Sequence, residues 1–515
     1  MTSPVDRRHL LRLGGALGIL GGAAPFALQL AAAGSAAGQQ TPDYKALVCV
    51  FLYGGNDANN MVLATDTDSW GRYFAARNTG QDPIALMPEG TPATPPGQVS
   101  PVTGRVSTSN SPEAWGGVLS ISPLTPQAIP AGTNASARTF ALHPFMGSLK
   151  ALFDQKRLAV VANVGTLIQP ITKAAYQAKA APFPANLFSH NDQVSTWQAN
   201  STEGARVGWG GRMADMLANM NGASTLFTAV SVSGNAVFLS GQSVVQYQLS
   251  TAASPAVVIN GQQGASLFGS SLAPSRVRDL ITDTNVTSNF ASDYAGVVNR
   301  SLGAAGTVNS AFAQPIVTAV AAAPPYVNPI TGATEANALA LQLQTVARMI
   351  AASATLGVKR QVFFVSLGGW DTHDFQNNVQ PNLLAKVAHA LTYFDGALAN
   401  VGGVDRRSSV TTFTASDFSR SLATNGDGTD HAWGSHHLVM GGAVKGGDMY
   451  GQYPTIGADL AGFSNPNMVG QALIPTTSVE QYASTLGSWF GTSDTAMDLI
   501  FPNLRNFSSR NLGFV

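Results

Sequence analysis

The sequence predicts an α/β sandwich built on a mainly parallel sheet, and three observations carry that prediction. Four short apolar runs rich in strand formers recur along the chain, at 45–53, 158–165, 361–368 and 409–415. Stretches with apolar residues at helical spacing separate some of them. Three of the four runs end in a polar knot, the pattern of parallel strands that deliver ligand-binding groups beyond their carboxyl ends.

The N-terminus opens with Asp6-Arg7-Arg8-His9-Leu10-Leu11-Arg12, close to a twin-arginine export signal, and runs into an apolar stretch from Leu13 to Ala33. Small residues around Ala33 and Ala37 offer cleavage points, so residues 1–37 read as a signal peptide of a periplasmic or secreted protein. An uncleaved anchor is the alternative, because the stretch is long enough to span a bilayer. Its glycines and Pro25 favour the cleaved form, and no later segment is apolar for long enough to cross a membrane.

Residues 45–53 (Lys-Ala-Leu-Val-Cys-Val-Phe-Leu-Tyr) form a nearly continuous apolar run stopped by Gly54-Gly55, the look of a strand buried on both faces. The lone cysteine, Cys49, lies inside it as a small core hydrophobe without an intramolecular partner. Residues 158–165 repeat the pattern. The knot Phe188-Ser189-His190-Asn191-Asp192 follows, ahead of an expected helix. Two stretches, about 80–140 and 215–330, are Gly/Pro/Ser/Thr-rich or mixed, and read as insertions bordering the site within one domain spanning 41–515. Apolar spacing predicts a helix over 336–356 (Leu339, Leu343, Val346, Ile350), a strand over 361–368, a second helix over 381–399 and a strand over 409–415.

Charged residues make up only 11% of the chain, against roughly a quarter in average proteins. The formal charge is zero, and loss of the leader leaves a small negative excess. With no basic patch and no Lys/Arg run, nucleic acid is excluded as a partner. In so charge-poor a chain, Asp and His gathered at strand ends point to a metal. Asp57, Asp371 with His373, and Asp417 all follow expected strands, and Asp430-His431 lies in the loop after Asp417. Carboxylate with imidazole suits zinc, manganese or iron, whereas carboxylate-rich sites suit magnesium or calcium. Each motif has a structural alternative: Asp57 as a helix cap, Asp371-Thr372-His373 as a loop hydrogen bond, Asp417 paired with Arg420 or capping a helix, Asp430-His431 as a solvated turn, and Ser189 as a helix N-cap. His436 and His437 would face opposite ways in a strand, and His389 reads as structural.

Further motifs carry a family resemblance. The leader, Leu52-Tyr53-Gly54-Gly55-Asn56-Asp57, Leu142-His143-Pro144, residues 187–193, and Gly208-Trp209-Gly210-Gly211-Arg212 come first. Gly368-Gly369-Trp370-Asp371-Thr372-His373, residues 416–420, Gly428-Thr429-Asp430-His431, residues 441–447, 489–494 and 501–504 follow in order. In these the chain resembles the DUF1501 group of exported bacterial proteins and, distantly, the alkaline phosphatase and sulfatase superfamily. The resemblance implies a three-layer, alkaline phosphatase-like sandwich with two long insertions. It implies an exported metal-dependent hydrolase of phosphate or sulfate esters, acting on a small-molecule or glycan ester.

Carried over by position, Asp57 takes the superfamily's first metal ligand, Ser189 the metal-activated nucleophile, and Asp371 and His373 the third motif at a shorter spacing. Asp417 matches the Asp of an Asp-His pair, but Phe418 stands where the second ligand belongs. His431 matches the last histidine, with Asp430 or His190 available to make good the loss. His190 is the candidate proton donor, and Asn59, Asn60, Asn191 and Arg212 are candidates to bind anionic oxygens or sugar hydroxyls. The missing ligand implies one metal, a different metal or a retired site. Two other readings stay open: a non-catalytic exported binding or surface-assembly protein, and a carbohydrate-directed esterase.

Overall fold

A computed structural model describes residues 43–129, 133, 135–222, 224–257, 266–459 and 463–515. The leader read at 1–37 lies outside the described residues. The centre of the molecule is a nine-stranded sheet. Its strands are β1 (Lys45–Leu52), β2 (Leu158–Gly165), β3 (Ala229–Ser231), β4 (Tyr247–Gln248), β5 (Arg360–Leu367), β6 (Val410–Ser416), β7 (Ser435–Met440), β8 (Met449–Tyr450) and β9 (Thr477–Ser478). The spatial order is β8-β2-β7-β6-β1-β5-β3-β4, with β9 also paired to β2. All neighbours are parallel except β7, which runs antiparallel to both β6 and β2.

The four strands expected from the apolar runs form within one residue of their expected ends, because each is buried on both faces. Along β1 the side chains alternate between two cores: Ala46, Val48, Val50 and Leu52 on one face, and Leu47, Cys49 and Phe51 on the other. Helices cover both faces. On the first lie Ala338–Ala351 and Gln376–Leu398; on the second, Trp209–Leu217 and Val479–Phe490. The Gln376–Leu398 helix starts earlier than Pro381 suggested, with the proline inside it. Its first turn is held by Gln376, whose backbone N–H donates to Asp427 O and whose side-chain amide donates to Asp57.

The stretches read as insertions are partly built into the fold. Residues 215–330 supply β3 and β4 at the sheet edge, together with the helix Asn289–Phe312. Residues 119–121 and 140–142 join Val62–Ala64 in a small antiparallel sheet. No helix among the described residues is long and apolar enough to cross a membrane.

β1, β5 and β6 are parallel neighbours, so their carboxyl ends open on the same edge of the sheet. The loops that follow them carry Asp57, Asp371 with His373, and Asp417. Two glycines let these loops close on one another. A Cβ on Gly54, at φ +115°, would lie 2.5 Å from the backbone nitrogen of Asp371. A Cβ on Gly428 would lie 2.2 Å from the carbonyl oxygen of His373.

Candidate metal centre

Three histidines and one aspartate converge at that edge. His373 comes from the loop after β5 and His431 from the loop between β6 and β7. His190 opens the His190–Ala199 helix. Nε2 of His373 and Nε2 of His431 lie 2.9 Å apart, and each is 3.2 Å from Oδ1 of Asp371. Nε2 of His190 is 3.5 Å from the other Asp371 oxygen. His190, Asp371 and His431 each offer a ligand atom within 4.8 Å of the others.

The far nitrogen of every ring faces an acceptor. His190 Nδ1 lies 2.7 Å from Asp417 Oδ2, His431 Nδ1 lies 2.7 Å from the Phe188 carbonyl, and His373 Nδ1 lies 3.3 Å from Asp430 Oδ1. An Nδ1–H donated outward leaves the Nε2 lone pair facing the centre, which is how ligating histidines are held in metal sites. Three imidazole lone pairs and a carboxylate form a donor set for zinc, manganese or iron more than for calcium or magnesium. The residues therefore fit such an ion.

The supports are themselves anchored. Asp417 is buried and takes the Gly54 N–H on both oxygens at 3.2 Å. Phe188 sits at φ +76°, an uncommon conformation for a bulky residue, and its carbonyl is the one that meets His431. Arg420, fully buried at its side chain, donates to Asp371 Oδ1 at 2.6 Å. Burial alone would raise the Asp371 carboxyl, but the Arg420 guanidinium holds it below the ordinary carboxylate value. The hydrogen bond with Asp417 raises His190, and burial lowers His431.

Several expected roles change. Asp57, expected as the first metal ligand, is buried in a two-pronged ion pair with Arg77 and also accepts from Gln376 Nε2 at 2.7 Å and Asn59 N–H at 3.1 Å. Its lone pairs are committed, so it acts as a joint below the site. Asp417 and Asp430 stand behind histidines instead of beside the centre. His190 joins the converging rings beside Asp371. The Phe418 ring walls the site, its centroid 4.8 Å from that of His190 and 4.5 Å from that of His431.

The Ser189 hydroxyl donates to Asp192 Oδ2 at 3.0 Å. Asn59 donates to Arg420 O, and Asn60 bridges Ile84 O and the Tyr73 hydroxyl. Arg212 caps the end of the Asp494–Ile500 helix through the Ile500 and Leu499 carbonyls. These three candidate substrate binders are thus spent on the fold. Asn191 alone of the four faces open space, lining a cleft of about 530 Å³ beside His190 and Asp417. His436 and His437 are buried, one stacked on Tyr453 and the other on Tyr482, away from the centre.

Sequence reasoning missed the pairing of Arg420 with Asp371, the Phe188 carbonyl and the packing of Phe418. The only signal for the first was a guanidinium three residues from Asp417 in a charge-poor chain, and it pointed to the wrong carboxylate.

Residues 44–501 match the profile of a family described as "Protein of unknown function (DUF1501)". No curated protein matches the chain.

Proposed function

Because the chain belongs to the DUF1501 family, whose description states no activity, we propose its function from the site itself: a metal-dependent hydrolase of ester bonds. The ion would be held by His190, His373, His431 and Asp371. One observation carries the reading: three imidazoles are each tethered at Nδ1 by an oxygen acceptor while their Nε2 atoms face one carboxylate. A divalent ion in that position supplies Lewis acidity to an ester.

The chain's own residues set the conditions for that chemistry. Asp417, Asp430 and the Phe188 carbonyl fix the ring orientations. Arg420 keeps Asp371 ionised as a ligand. Phe418 shields two of the rings from water on one side. The cleft beside His190 gives an ester room to approach. Ser189 is not among the residues that border the cleft beside His190, and its hydroxyl donates to Asp192, so a serine nucleophile is not part of this reading. Ser189→Ala is expected to leave ester hydrolysis within about twofold of the parent, judged against the far larger losses seen when a true nucleophile is removed.

The leader sequence supports export, which N-terminal sequencing of the mature protein would test: a start after Ala33 or Ala37 is expected. The hydrolase reading is tested by turnover of an ester panel before and after chelation. Turnover that is abolished by chelation and restored by zinc, manganese or iron is expected. Turnover indifferent to chelation would refute it.

A further inference from the structure

The cleft beside the centre follows the His190–Ala199 helix. His190, Asn191, Val194, Ser195 and Gln198 all border it, and their spacing marks a single helical face. At about 1.5 Å per residue, the face from His190 to Gln198 covers about 12 Å. Val194 lies midway along it, half-buried, and Val237 and Ala205 add further apolar surface. The sheet edge contributes Tyr53, Gly54, Gly368 and Gly369. A Cβ on Gly368 would meet nothing within 4 Å, so the missing side chain there leaves the groove open.

A hydrogen-bond donor stands where the groove passes Gln198. The Gln198 side chain is buried and its orientation is fixed, because the Phe238 backbone N–H can only donate and so meets Oε1, at 3.0 Å. That turns Nε2 towards the Tyr53 hydroxyl oxygen at 3.3 Å. The Tyr53 oxygen is therefore an acceptor in this contact, and its own proton has no acceptor among the described residues. Burial pushes the phenol up to about 12, which keeps that proton in place at ordinary pH. The ring is steadied by Phe51 and Phe364, with centroids 4.5 and 6.3 Å away. Ser195, in contrast, spends its hydroxyl on the Thr202 carbonyl.

We infer that this cleft is an elongated substrate groove leading away from the ion, and that Tyr53 is a specificity-determining residue in it. The scissile bond lies at the His190 end, an apolar stretch of substrate lies along Val194, and an oxygen remote from the scissile bond accepts from the Tyr53 hydroxyl. The class of substrate is a long ester with an apolar spacer and a second oxygen acceptor beyond it. This rests on the hydrolase reading above.

The test uses the mature full chain with its metal content measured. Acetate, heptanoate and 6-oxoheptanoate, carboxylates of the kind hydrolysis would release, are titrated calorimetrically into the parent, Tyr53→Phe and Gly368→Leu. Turnover of the three phenyl esters is followed in parallel. In the parent, heptanoate should bind at least about tenfold more tightly than acetate. The keto oxygen of 6-oxoheptanoate should add a further gain of about three- to tenfold. Tyr53→Phe, which keeps the ring and its aromatic contacts, should abolish the second gain alone. Gly368→Leu, which fills the groove, should bring the heptanoate-to-acetate ratio to within about twofold. Affinities that ignore chain length, a keto gain retained in Tyr53→Phe, or no binding of any of the three would overturn the inference. Chelation-sensitive cleavage of phenyl acetate would in that case leave the hydrolase reading standing. The expected order of affinities with no ester cleaved would bring down the hydrolase reading and leave the groove and its Tyr53 donor as a binding site.

Discussion

At the scale of single residues, the molecule separates aspartates that look alike in sequence. Asp57 and Asp371 both follow a Gly-rich bend after a parallel strand. Asp57 is closed off by Arg77 and Gln376, whereas Asp371 is partly exposed and shared by three imidazoles and Arg420. Opposite outcomes follow for their substitution. Asp57→Asn strands a buried guanidinium and should destabilise the protein by about 3–5 kcal/mol, read by denaturant unfolding, while metal stoichiometry in the folded fraction is unchanged. Asp371→Asn should remove the metal with a far smaller effect on the metal-free protein's stability. Asp417→Asn should weaken metal affinity about 10–100-fold without abolishing it, because it acts through His190. A full loss of metal in Asp57→Asn, or none in Asp371→Asn, would contradict this assignment. Nothing in the spacing of Asp57 and Arg77, twenty positions apart, reveals their pairing. The folded chain brings them together because Arg77 ends the Thr67–Arg77 helix, and its guanidinium also reaches the Ser421 and Leu422 carbonyls.

At the scale of elements, legibility follows burial. β1, β2, β5 and β6 are read from sequence because a strand buried on both faces must be apolar throughout. β7 escapes that rule: its Ser435-His436-His437 start looks like a polar loop, yet all six of its residues are buried. The two-residue strands at the sheet margin carry no pattern to read. The histidines of β7 have a thermodynamic consequence. Burial pulls both His436 and His437 down to about 3, while in the unfolded chain they titrate near 6.5. The folded state keeps them neutral, so their contribution to stability is present in full above about pH 6.5 and is lost as pH falls towards 3. Thermal melts across that range should show Tm falling with acidification, and His437→Phe should flatten the slope. A slope unchanged by that substitution would show that β7 is not a source of the acid sensitivity.

Glu480, at the start of the Val479–Phe490 helix, works in the other direction. Burial raises its carboxyl to about 7, against the hydrogen bond from Asn503. With a folded value above the unfolded one, its contribution is greatest below about pH 4.5 and declines as pH rises through 7. Glu480→Gln should therefore stabilise the protein above pH 7 by roughly 1–3 kcal/mol and have little effect at pH 4.5. Equal effects at the two pH values, measured by denaturant unfolding, would contradict the inferred burial of a charge.

At the scale of the whole molecule, a parallel sheet gathers ligand-bearing loops on one edge, and helices on both faces hold that edge rigid. The direction of this gathering was legible, because strand ends and polar knots coincide in sequence. The composition of the centre was not, because His190 arrives from a helix start that follows no strand directly, and which carboxylates stand in front or behind depends on side-chain direction. An ion joining His190, His373, His431 and Asp371 would tie together three segments far apart in the chain. Binding to the folded state alone stabilises it, by about 2.7 kcal/mol when the ion is at a hundred times its dissociation constant. Chelation should lower Tm, and readdition of the ion should restore it.

The most direct measurement is the metal content, by elemental mass spectrometry, of the mature protein purified without chelators, beside His431→Ala. Near one equivalent of zinc, manganese or iron in the parent, lost in His431→Ala, is the result this structure leads us to expect. A parent that stays metal-free after incubation with each ion, or a variant that retains the parent's full content, would contradict the metal centre and leave the fold as a binding or assembly scaffold.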